Sequence, residues 1–83
     1  MCQVFYIILW YIKNMRIAEI VGKNLKQARK DKGITQKEVA EKMKMTQQQY
    51  SRFENGVFEL NYAQIVELCT LYEITPNELF LLD

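Results

Sequence analysis

The sequence predicts an all-α domain of five helices, preceded by one amino-terminal β-strand. Three observations carry this. Helix-start signatures stand at Thr35, Thr46, Asn61 and Thr75. Apolar residues recur three and four positions apart along the segments between stops at Gly33 and Gly56 and beyond them. The unbroken apolar run from Val4 to Ile12 lacks that spacing and is rich in β-branched and aromatic residues, which favours an extended strand. The 83 residues make one domain. A domain this small is marginally stable by itself, so self-association is expected.

The strand comes first in chain order. Alternation puts Val4, Tyr6, Ile8, Trp10 and Ile12 on one face and Phe5, Ile7, Leu9 and Tyr11 on the other. Both faces are apolar, and a lone strand leaves its backbone groups unpaired. Antiparallel pairing with the same segment of a second molecule, about a two-fold axis, satisfies both needs. Residues 1–14 are thus expected to be a dimerising extension, and residues 15–83 the helical domain. Two alternatives stand beside this one. Met15-Arg16 is a plausible natural start, and the run is also able to extend the first helix and pack in a core. It is too short to cross a bilayer, and it lacks the basic flank and cleavage site of a signal peptide. No membrane partner is expected.

The first helix is expected from Arg16 to Lys32, with Ile17, Ile20, Val21, Leu25 and Ala28 inward and Gly33 as its stop. Thr35 with Glu38, and Thr46 with Gln49, have the spacing of capping boxes. Val39, Ala40 and Met43 follow the first cap at helical spacing; Tyr50 and Phe53 follow the second. Asn55-Gly56 stops the second of these helices. Two helices of about eight residues, joined by about three, form a helix-turn-helix unit, with small Ala40 at the crossing. The pattern alone also fits an ordinary helical hairpin. Asn61 with Gln64 starts a fourth helix to about Tyr72, with Ile65, Leu68, Cys69 and Tyr72 inward. Thr75-Pro76-Asn77-Glu78 starts a short fifth carrying Leu79, Phe80 and Leu82.

Composition narrows the function classes. Histidine is absent, and no nucleophile–base pair or metal-ligand spacing stands out, so an enzyme is not expected and no cofactor, metal or small-molecule ligand is implied. Cys2 and Cys69 make neither a zinc site nor a secreted disulfide framework, which points to the cytoplasm, with Cys69 a reduced core residue. Net charge is only +1. Yet the span from Lys13 to Arg52 holds eleven bases and four acids, a balance of +7, whereas Phe53 to Asp83 holds six acids and no base. Such segregation gives one pole that attracts phosphate.

Four stretches carry a family resemblance: Asn24 to Gln36, Val39 to Met43, Ser51 to Gly56 and Ile74 to Phe80. In order and spacing they resemble the Cro/cI-type helix-turn-helix family, the λ-repressor-like DNA-binding domains of phage repressors and bacterial xenobiotic-response-element regulators. The resemblance covers about Val21 to Phe80 and leaves residues 1–14 outside. It implies a sequence-specific transcriptional regulator, a repressor acting as a homodimer on a pseudo-palindromic site in double-stranded DNA. By position it makes Gln47, Gln48, Ser51 and Arg52 base readers, with Gln49 the weakest candidate because the cap needs it. It gives Gln36, Lys37, Thr46, Asn55 and Arg29 phosphate or positioning roles, and it pairs Arg29 with Glu54. Lys23, Lys26 and Lys44 add sequence-blind attraction. Departures are Lys44 and Glu73, where relatives carry glycine, and Leu60, where a proline is common. A left-handed lysine at position 44 costs roughly 1 kcal/mol. The competing expectation is an interaction module of the same fold, antitoxin-like or a scaffold, with weak or no DNA binding.

Overall fold

The computed structural model describes residues 2–80, and its described residues are all-helical or loop. Helix α1 spans Cys2–Lys32, α2 Gln36–Lys42, α3 Gln47–Glu54, α4 Tyr62–Tyr72 and α5 Pro76–Leu79. The amino-terminal strand is therefore overturned, and with it the strand-paired dimer built from Val4, Phe5, Tyr6, Ile7, Ile8, Leu9, Trp10, Tyr11 and Ile12. The reason is continuity. No glycine or proline separates Ile12 from Ile17. A helix already nucleated downstream gains one hydrogen bond for each further residue it fixes. A lone strand gains none within its own chain. The run does extend the first helix, yet it does not pack in a core: Tyr6, Ile7, Ile8, Leu9 and Trp10 are all exposed. Leu82 lies outside the described residues.

The helix starts follow from local chemistry. At Thr35, Thr46 and Asn61 the cap side chain accepts from the third helical N–H, and Glu38, Gln49 or Gln64 accepts from the cap's own N–H. Thr75 accepts from the Glu78 N–H, with Pro76 at the first helical position. The helix stops share one device as well. After α1, α2, α3 and α4, the residues Gly33, Lys44, Gly56 and Glu73 adopt φ of 70°, 58°, 74° and 56°. Each time, the next residue's N–H reaches back five positions: Ile34 to Arg29, Met45 to Ala40, Val57 to Arg52, Ile74 to Cys69. These paired bonds satisfy the last carbonyls of each helix.

The core sits between the middle of α1 and the other helices. Leu25, Val39, Tyr50, Leu68 and Leu79 are fully enclosed, with Val21, Ala28, Ala40, Phe53, Cys69 and Tyr72 around them. Ile34, Met43, Met45, Leu60, Ile65 and Ile74 close its edges. The Asn24 amide donates to the Leu79 carbonyl at 2.7 Å, fastening α5 to α1. Burial raises the Cys69 thiol above its ordinary value, with nearby Glu78 adding to it, so the thiol stays protonated.

Candidate nucleic-acid interface

Helix α3 is short, and its orientation depends on what clamps it from below. Tyr50 and Phe53 bury its inner face, and Gly22 of α1 lies under its last turn. A methyl group at Gly22 would stand 2.4 Å from the Glu54 carbonyl oxygen and 2.7 Å from that of Phe53. Nor would Gly56 tolerate one: it would meet the Glu19 backbone at 2.8 Å. Helix α1 therefore approaches the end of α3 and the turn after it at backbone distance. Sequence periodicity does not mark Gly22, because a glycine inside a helical stripe looks like a weak helix former rather than a contact.

A buried polar network fixes α3 against α1 and α2. Arg29 grips Glu54 with a fork, Nε to Oε2 at 2.7 Å and Nη2 to Oε1 at 3.3 Å, while Nη1 donates to the Ile34 carbonyl at 3.0 Å. Gln36 Nε2 donates to Glu54 Oε1 at 3.0 Å. The hydroxyls of Tyr50 and Tyr72 are hydrogen-bonded to each other. Burial pushes the Glu54 carboxyl upward, but the hydrogen bonds from Arg29, Gln36 and Tyr50 outweigh it and hold the group below its ordinary value. Burial also raises both tyrosines, Tyr72 to about 12, so both stay neutral donors. Every buried side-chain polar atom among the described residues is partnered.

The outer face of α3 carries the polar set. Gln47, Gln48 and Arg52 are exposed and Ser51 is half-buried, accepting weakly from the Asn55 amide at 3.4 Å. Gln49 is exposed but committed, since its Oε1 accepts from the Thr46 N–H. Thr46, Asn55 and Lys37 are exposed at helix ends, and Gln36 is half-buried over Glu54. Arg29 sits below this face rather than on it. Its side chain is only 12% exposed and three of its donors are engaged. Lys44 occupies the turn, exposed and left-handed.

One feature of this face escaped the sequence. The Arg52 guanidinium lies over the Phe58 ring, 5.6 Å from its centroid, and Phe58 packs edge-on against Phe53. The stack holds a base-reading candidate in place through a loop aromatic four residues beyond α3. No period connects the two positions, so only the folded loop reveals the pairing. Among the described residues, no group of three His, Cys, Asp or Glu is placed to hold a metal, and no helix is long and apolar enough to cross a membrane.

Comparison with known proteins fits this geometry. No curated protein and no solved structure matches the chain. A helix-turn-helix family model matches residues 25–79, which run from the last third of α1 to the end of α5 and include the polar network that clamps α3, but not Glu19 and Gly22. The chain belongs to the Cro/cI-type helix-turn-helix family of DNA-binding regulators.

Proposed function

We propose that this protein is a sequence-specific transcriptional repressor that binds a pseudo-palindromic site in double-stranded DNA as a homodimer. The observation that carries it is the outward display of Gln47, Gln48 and Arg52 on a helix whose opposite face is locked by the Arg29–Glu54–Gln36 network. Glutamine suits bidentate contact with adenine, and arginine with guanine. Ser51 adds a small donor–acceptor on the same face. Lys37, Thr46, Asn55 and Gln36 hold phosphates and set the register, and Lys23, Lys26 and Lys44 add attraction without sequence preference. Arg29 acts by positioning Gln36 and α3 through Glu54. Occupancy of the site would exclude polymerase, in the cytoplasm, without a ligand to control it.

The test is fluorescence anisotropy on duplexes selected from a random pool, at two salt concentrations. Affinity should fall steeply as salt rises. Arg52→Ala should cost roughly 1–3 kcal/mol and relax preference at one base pair, whereas Lys37→Ala should weaken all duplexes alike. Equal, sequence-blind losses from both would remove Arg52 from base reading. A second function is favoured by one observation, the exposed apolar arm of α1: a partner-binding module of the same fold. Duplex binding that is absent, or indifferent to salt, selects it.

A further inference from the structure

The first five described side chains of α1 present apolar surface on every side of the helix. Tyr6 is 69% exposed, Ile7 55%, Ile8 51%, Leu9 41% and Trp10 62%. Successive helical residues are turned by about 100°, so five in a row encircle the axis. A helix apolar all round is a buried helix. Here it projects from the body, which is why the molecule measures 48 Å along one axis and 25 and 19 Å along the others. The stripe continues inward: Tyr6, Trp10, Ile17 and Val21 are spaced four, seven and four and share one face. Ile17 and Val21 line a shallow groove of about 130 Å³, floored by Phe53, Phe58 and Phe80.

We infer that this arm is a helical dimerisation surface whose occupant is the arm of a second copy, crossing it antiparallel near Ile8. Area, charge and spacing support that occupant. The five side chains expose roughly 500 Å² together, at about 150–250 Å² for a fully exposed aromatic residue. With Ile17 and the groove this approaches the roughly 800 Å² per partner of a stable interface. No charged residue occurs from Cys2 to Ile12, while the basic span begins at Lys13. Antiparallel crossing brings the uncharged stretches together and carries the two basic bodies to opposite ends; parallel pairing would set them side by side. Gly22, where α1 holds α3, lies fourteen residues beyond Ile8, about 21 Å along the helix. Two such arms put the recognition helices about 40 Å apart, comparable with the 34–36 Å between successive major-groove faces. The spacing part rests on the function proposed above; the pairing does not.

The test uses the full chain without DNA. Trp10 is the only tryptophan, so its emission reports the arm directly. Expected are a molar mass that doubles over the micromolar range and a blue shift of emission that tracks it. Ile8→Lys should abolish both while far-UV circular dichroism shows helix retained. On DNA, Ile8→Lys should keep single half-site affinity and lose about 10²–10⁴-fold on the paired site. A chain that stays monomeric with solvent-like Trp10 emission overturns the inference. So does a monomer whose Trp10 shifts only on anionic vesicles, or rapid Cys2–Cys2 cross-linking between copies, which marks a parallel pair. A dimer that ignores DNA leaves the pairing intact and removes the proposed function; a monomer that binds half-sites removes the pairing and the homodimer, and leaves only the DNA-binding part of that function.

Discussion

Glu54 shows how much of this fold turns on one carboxylate. It is 5% exposed and carries the fork of Arg29 and the amide of Gln36. Its folded value lies below the ordinary 4.5, so the unfolded chain takes up its proton first as pH falls. The stability this provides is complete above about pH 4.5 and declines as acid approaches the folded value. Glu54→Gln removes the charge and leaves Arg29 uncompensated. Urea denaturation at neutral pH should show a loss of about 3 kcal/mol. The gap to the native chain should narrow as pH drops below the carboxylate range. A gap that widens in acid would reverse the assignment of charge to Glu54. The Arg29–Glu54 pairing was legible from family resemblance alone; nothing local in the sequence joins two residues twenty-five apart. For the third partner, Gln36, the resemblance implies only a phosphate or positioning role. Its bond to Glu54 needed the folded backbone.

At the scale of the element, caps and stops were the most legible part. Each is a bargain among four or five neighbouring residues, and Thr35, Thr46, Asn61 and Thr75 declare themselves by what stands three positions on. The Gly33 and Gly56 stops are equally local. Lys44 and Glu73 perform the same turn without glycine, and the strain expected at Lys44 is present as a φ of 58°. Lys44→Gly should therefore raise unfolding free energy by roughly 0.5–1 kcal/mol in a urea titration. If Lys44 also meets a phosphate, the same variant should lower the salt dependence of duplex binding by about one counterion. A destabilised variant would mean the lysine stem packs more than its backbone suffers. What was illegible was the state of the Val4–Ile12 run. Its composition suits a strand, and composition was outvoted by an uninterrupted helix next door. The close approach at Gly22 was hidden for a related reason: a contact between elements leaves no periodic trace in either.

Along the whole chain a basic stretch, Lys13 to Arg52, gives way to an acidic one from Phe53 on, and this split matters more than the net +1. Residues Phe53 to Leu79 carry only acidic charges: Glu54 is buried in its ion pair, and Glu59, Glu67, Glu73 and Glu78 are exposed. An acidic pole repels a duplex and so disfavours wrong-way encounters. Glu73 is paired with Lys32, whose hydrogen bond holds the carboxyl below its ordinary value, and the pair ties the end of α4 to the end of α1.

Helix α1 joins the arm to the seat of α3 with no glycine or proline from Cys2 to Val21. It therefore behaves as a torsionally stiff axle. One alanine inserted between Ile12 and Ile17 would swing the DNA-reading body by about 100° about that axle and advance it about 1.5 Å. Four would return it nearly to phase, about 6 Å farther out. Affinity for a paired site should thus oscillate with insert length rather than decay smoothly, and band-shift titrations of one-, two- and four-alanine inserts would show it. Operator geometry, on this reasoning, is written in the pitch of a single helix.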